Sequence, residues 1–164
     1  MACLEEDKAM SAVIVRKGDI TNTLLSLQQA GRQRKERVLL WLAHPQCQGL
    51  VVSEVYMPQQ QASRDFFRIP RTGISSLLNH LRETSLIVAA QVHAHPEAAF
   101  HSVADDTWAI VRHVGALSLV LPDFALRTSA ASFRKDAAVF RLSNANIWEQ
   151  VTVPRLGDCY KVVS

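Results

Sequence analysis

The sequence predicts a mixed α/β (α+β) fold, a β-sheet sandwiched by two or three helices. Three observations predict it. Apolar runs of strand length recur at residues 12–15, 37–43, 50–57, 86–93 and 117–121, as buried strands require. Two intervening segments, 19–30 and 72–81, carry apolar residues at helical spacing. The chain has 164 residues, 48% hydrophobic and 20% charged, enough to bury one substantial core and expected to form a single domain over residues 1–164.

In chain order, residues 12–15 read as the first strand. Ile20, Leu24 and Leu27 then fall on one helical face, with Gly31 as a natural stop. Residues 37–43 (RVLLWLA) and 50–57 (LVVSEVYM) are strands joined by the turn-like HPQCQG into a hairpin. The aperiodic segment 58–68 (PQQQASRDFFR) reads as an exposed loop, and its part from residue 59 either as an ordinary mobile loop or as a flap that contacts substrate. Thr72 is suited to cap a second helix, in which Ile74, Leu77, Leu78 and Leu81 repeat at i, i+3, i+4 and i+7. Residues 86–93 (LIVAAQVH) make a strand, 102–114 a third helix, and 117–121 (LSLVL) a buried strand. Strand-like pieces close the chain at 131–142, 150–153 and 159–163.

Composition excludes several classes. Disorder needs fewer apolar residues and more net charge, and fibrous or low-complexity chains need far more than six glycines and six prolines. No run approaches the roughly 20 apolar residues that span a bilayer, so no membrane partner is expected. The opening MACLEEDKAM is polar and acidic, unlike a secretory signal. Cys3, Cys47 and Cys159 are odd in number and far apart, which fits thiols in a reducing cytoplasm, the expected location. Net charge is +3. The run RQRKER at 32–37 carries four positive charges and one negative, with no interleaved aromatics. It reads as a solvated helix end, and no nucleic-acid partner is expected.

The informative stretch is VHAHPEAAFHSVADDTW, residues 92–108. His93 and His95 lie two apart at the end of a strand, so both imidazoles share one face and Ala94 points away. Pro96 ends the strand and keeps the pair at its edge. Two converging imidazoles with a nearby carboxylate, Asp105 or Asp106, suit a three-ligand zinc site. Each fragment alone has a plainer reading: strand histidines for H-x-H, and a helix capping box for Ser102-x-x-Asp105. His101 is an exposed loop histidine or a substitute ligand. The combination of HxHP and SxxD across a short loop lacks an obvious structural reason.

That combination resembles the metal-binding signature of the JAMM (MPN, or JAB) metallopeptidase family: an upstream glutamate, then H-x-H-P, about seven residues, then S-x-x-D. His93-Ala94-His95-Pro96 and Ser102-Val103-Ala104-Asp105 match the later parts. The six-residue spacer keeps Asp106 open as the ligand, while register with Ser102 favours Asp105. The family's glutamate sits at the junction of the first long helix and the next strand, in an E-x-x-G-x-L-x-G context. Glu36 falls there, with Leu39 and Ala43 in place of the glycines, and Glu54 is the fallback. The resemblance extends over roughly residues 19–125 and implies an MPN/cytidine-deaminase-like sheet.

The resemblance also implies chemistry. His93, His95 and Asp105 would hold Zn2+, whose bound water has its pKa lowered from 15.7 to about 7. Glu36 would be the general base and acid, and Ser102 would donate a hydrogen bond to the oxyanion, worth about 3 kcal/mol. The implied reaction is amide or isopeptide hydrolysis after the C-terminus of a ubiquitin-like protein, in precursor maturation, deconjugation or both. The run HPEAAFHSVADD looks like the bacterial JAB branch encoded beside E1-like and E2-like enzymes, some in antiviral defence. The implied partners are a ubiquitin-like protein and its conjugates, with those enzymes as functional partners. Two alternatives stay open: a peptidase that processes sulfur-carrier proteins, and a non-catalytic MPN scaffold, although such scaffolds usually lose the ligands this chain keeps.

Overall fold

In the computed structural model, which describes residues 11–102, 105 and 110–164, the apolar run after Glu36 is buried on both faces. It forms β2 (Val38–Gln46), and residues 38–43 are all fully or almost fully enclosed. Alternation divides them between two cores. Leu39, Trp41 and Ala43 join Ile20, Leu24 and Leu27 of helix α1 (Lys17–Arg32). Val38, Leu40 and Leu42 join Leu77 of helix α2 (Arg71–Thr84) on the opposite face. A strand without a polar face must be central, and β2 sits between β3 (Gly49–Tyr56) and β6 (Ile87–Ala94), antiparallel to both.

Among the described residues the sheet has eight strands. With β1 (Val13–Arg16), β7 (Leu117–Leu121), β8 (Ala138–Leu142), β9 (Trp148–Gln150) and β10 (Tyr160–Val163), its order is β10-β1-β3-β2-β6-β7-β8-β9. The β1–β10, β1–β3 and β6–β7 pairs are parallel and the others antiparallel. A mixed sheet between helices is the α+β sandwich expected from the sequence and is consistent with an MPN-like fold. Trp41, fully enclosed, donates its indole N–H to Thr23 Oγ1 at 2.9 Å, which ties α1 to the sheet.

Several expectations change in detail. Gly31 does not stop α1; it lies inside the helix, where a Cβ would come within 2.6 Å of Phe124 Cβ. Its role is close packing. Thr72 is not the cap of α2: Pro70 is, and the Thr72 hydroxyl bonds Gln59 Oε1 instead. Of the apolar repeat on α2 only Leu77 is buried, while Ile74 and Leu78 are exposed. The segment 58–68 is no featureless loop. It holds a small hairpin, β4 (Gln61–Ala62) with β5 (Phe67–Arg68), and Phe67 is buried. The piece at 131–142 is a helical turn, Phe133–Asp136, followed by β8, and the piece at 150–153 is strand only at its start. Of the third helix expected at 102–114, residues 103, 104 and 106–109 lie outside the described residues, and its end, 110–114, is not helical. Cys47 is exposed in the β2–β3 turn and Cys159 is buried in the core; Cys3 lies outside the described residues.

Candidate metal centre

β6 carries the histidine pair. Ala94 packs into the α1-side core, so by alternation His93 and His95 face the other way. His93 is wholly buried, paired in register with Val38 of β2 and Val120 of β7, and the Phe67 ring packs 5.3 Å from its own. His95 follows the strand's end, and its backbone is fastened on both sides. Its N–H donates to Leu121 O at 2.9 Å, and its carbonyl accepts from Phe124 N–H at 2.7 Å. Phe124 belongs to a turn, Asp123–Ala125, in which three successive residues have φ of 51°, 53° and 60°. Such left-handed backbone is costly for non-glycine residues and persists where the surroundings hold it. Gly31 admits the turn against α1.

Asp105 completes a trio. His93 Nε2 lies 3.1 Å from Asp105 Oδ1, His95 Nε2 lies 3.1 Å from Oδ2, and the two Nε2 atoms are 3.2 Å apart. Ligands about 2.0–2.1 Å from one tetrahedral ion stand about 3.3 Å from each other, so the trio fits a zinc-sized cation with little adjustment. Two imidazoles and a carboxylate are also the donor set such an ion takes. Among the described residues this is the one such group of three or more metal-ligating side chains, and all three are buried.

Ser102 holds Asp105 in place. Its N–H donates to Asp105 Oδ2 at 2.7 Å and its Oγ accepts from Asp105 N–H at 3.0 Å. The capping-box reading of S-x-x-D is therefore correct, and it is what aims the carboxylate. Burial alone would raise the Asp105 pKa, but hydrogen bonds from both histidines, the His93 charge and the Ser102 N–H hold it well below the usual range. For His95 burial favours the neutral ring, and it is outweighed by the Asp105 hydrogen bond and the charges of Asp105 and Glu36, so its pKa is raised.

Glu36 is in the loop between α1 and β2, 3% exposed. Its N–H donates to Ser63 O at 2.7 Å, tying it to the β4–β5 hairpin. Burial pushes its carboxyl up to about 7; His95 opposes the rise, and Asp105 and Asp65 add to it. Glu36, His95 and Ser102 line one cavity of about 280 Å³ with Arg64, Asp65 and Phe100. A larger cavity of about 580 Å³ opens elsewhere, beside Ser11, Gln48, Arg155 and Lys161, and contains none of the trio.

The structure thus brings together His93, His95, Asp105, Glu36 and Ser102. It places the fallbacks elsewhere. Glu54 Oε2 is 2.8 Å from His80 Nε2 on α2, and the His101 ring packs between Phe140 and Trp148, each 5.2 Å away. Asp106 lies outside the described residues. Sequence reasoning missed Arg64, Asp65 and Phe100; for the first two it offered only a segment, 59–68, as either a mobile loop or a substrate-contacting flap. The Phe66–Phe67 pair in an otherwise polar stretch was the available signal. Gln60 was missed too: its side-chain amide accepts from Val38 N–H at 2.8 Å and donates to Val38 O at 2.9 Å, continuing the ladder where β3 has ended.

Comparison with known proteins gives one metalloprotease relative and a likeness of fold. No protein-family model matches the chain. It is 30% identical over 145 residues to a protein of Sinorhizobium fredii named probable metalloprotease y4jG, covering 84% of this chain and 88% of that one. In structure it is similar to protein DSY2949 from Desulfitobacterium hafniense, with a TM-score of 0.63, 92% of each chain covered and 15% identity, a likeness of fold alone.

Proposed function

The chain belongs to the metalloprotease family of y4jG, and from that premise we propose a zinc-dependent, JAMM-type peptidase that cleaves after the C-terminal residue of a ubiquitin-like protein. The observation that carries this reading is the buried His93–His95–Asp105 trio with a second, high-pKa carboxylate, Glu36, in the same cavity as His95.

His93, His95 and Asp105 would hold the ion, which would supply an acidified water and a Lewis acid for the scissile carbonyl. Glu36 moves the proton. Its carboxylate takes a proton from the attacking water and returns it to the leaving amine, and its burial strengthens it as a base. Ser102 has a second task beyond fixing Asp105. Its Oγ accepts the Asp105 N–H and keeps its own proton, which the hydroxyl can turn toward an oxyanion in the cavity it lines. Phe67 covers His93, and Phe100 stands edge-on to His95 at 4.5 Å, half exposed, as an apolar wall for the substrate chain.

The substrate class rests on the signature. HxHP with SxxD, and a glutamate between first helix and second strand, is the pattern of enzymes that release ubiquitin-like modifiers from lysines or trim their C-terminal extensions. In this reading the protein works in the cytoplasm beside E1-like and E2-like enzymes, in a conjugation system linked to antiviral defence. No helix among the described residues is long and apolar enough to cross a membrane. The test is cleavage of a ubiquitin-like protein carrying a C-terminal fusion by wild type, Glu36→Ala and His95→Ala, with zinc quantified in each. Cutting after the modifier's last residue by wild type alone, with zinc retained in Glu36→Ala, supports the reading. Zinc without cleavage of ubiquitin-like fusions, but with cleavage of other peptides, overturns the substrate class.

A further inference from the structure

Beside the cavity at the trio lies a second one of about 310 Å³. The two share Arg64, Pro96 and Glu97, so they adjoin along one groove. The second part adds Arg34, Arg127 and Asp123. We propose that this arm of the groove, framed by Arg34, Arg64 and Arg127, is a subsite that binds a carboxylate of the peptide substrate. The inference deepens the peptidase reading and rests on it for the word substrate.

Charge is the first argument. Three guanidiniums face two carboxylates, and one of those, Glu97, has its side chain 86% exposed and reaches Arg64 only at 4.0 Å. Among the described residues the side chains of Arg34 and Arg127 make no hydrogen bond or ion pair. A guanidinium presents its donors in a fixed fork that matches a carboxylate, and the donors of Arg34 and Arg127 are open to one.

Backbone placement is the second. Of the six non-glycine residues with positive φ among those described, four lie on or against this arm: Arg34 at 55° and the turn Asp123, Phe124 and Ala125. Strain of this kind clusters at binding sites, because it fixes side chains that relaxed backbone would let wander. Arg34 comes from the run RQRKER, which read as a solvated helix end. The structure divides that run: Glu36 turns into the catalytic cavity, Arg37 bonds Ser26 O at 2.9 Å, and Arg34 borders the groove.

The carboxylate has two sources, an acidic side chain near the scissile bond or a free C-terminus, and the experiment separates them. Peptides with Asp, Ala or Lys at successive positions on either side of the bond are compared, with free and amidated C-termini. The expected result is a kcat/KM about fivefold higher for Asp than for Ala at one or two positions, or for the free over the amidated end, as solvent-facing ion pairs give. That preference disappears in Arg34→Gln/Arg127→Gln and turns toward Lys in Arg127→Glu. The proposal is overturned if no position discriminates, or if the variants keep the wild-type preference. If the metal-loaded wild type cuts none of the peptides, the peptidase reading fails, and anisotropy binding of the same labelled peptides decides the subsite. Acid-selective binding that the double variant loses supports it; binding blind to charge, or none, overturns it.

Discussion

Replacing Glu36 by Gln isolates the electrostatic strain of the site. The Glu36 carboxyl is raised from 4.5 to about 7 in the folded protein. Below pH 4.5 it is protonated in both folded and unfolded states, and its titration does not affect stability. Between 4.5 and 7 the unfolded chain gives up the proton and the folded one keeps it, so folding stability falls as pH rises. Above 7 both states are ionised and the loss levels off. Two and a half units at 1.36 kcal/mol each give about 3 kcal/mol. Gln has the same shape and no titration. In the metal-free protein, kept so by a chelator, urea unfolding across pH 4–9 should show Glu36→Gln gaining about 3 kcal/mol relative to wild type between pH 4.5 and 7.5, then staying flat. A difference independent of pH, or one that moves against the Gln variant as pH rises, refutes the buried-carboxylate account of Glu36.

Other consequences follow from individual contacts. Gly31→Ala would set a Cβ 2.6 Å from Phe124 Cβ and 2.7 Å from its carbonyl oxygen. It should destabilise by about 1–3 kcal/mol and, because Phe124 N–H holds the His95 carbonyl, weaken zinc retention in a competition assay with a chelator. Thr23→Val leaves the buried Trp41 N–H without its acceptor and should cost about 1–3 kcal/mol in thermal or urea unfolding. Ser102→Ala should lower kcat by about 10²–10³ if its hydroxyl serves the oxyanion, well beyond the roughly 1 kcal/mol stability loss that a missing cap brings; a purely structural Ser102 would show only the latter. Gln60→Ala unpairs both polar groups of Val38 and should cost about 1–3 kcal/mol by the same unfolding assay.

What was legible in the sequence follows the physics of each segment. β2 was readable because a run with no polar residue from 38 to 43 can only be enclosed on both faces. The trio was readable because period-two spacing and a capping box are local rules: both histidines of H-x-H face one way, and Ser102 aims Asp105 by bonds that span three residues. The hairpin at 61–68 was not, since its order comes from distant partners: Phe67 on the His93 ring, Gln60 on Val38 and Ser63 on Glu36. Gly31 misled for the same reason. Its local meaning is a helix stop, and its actual one is set by Phe124, ninety-three positions away in the chain. The α2 stripe shows the opposite error. Its period is helical as expected, yet Ile74 and Leu78 remain exposed, because periodicity fixes which face is apolar and not whether anything covers it.

The central claim is that His93, His95 and Asp105 hold one metal ion. Zinc bound per chain after dialysis against a weak chelator, measured by elemental mass spectrometry for wild type and for His93→Ala, His95→Ala and Asp105→Ala, tests it directly. The account predicts one zinc per wild-type chain and a loss in each folded variant. A wild type without zinc, or variants that keep it in full, would contradict it.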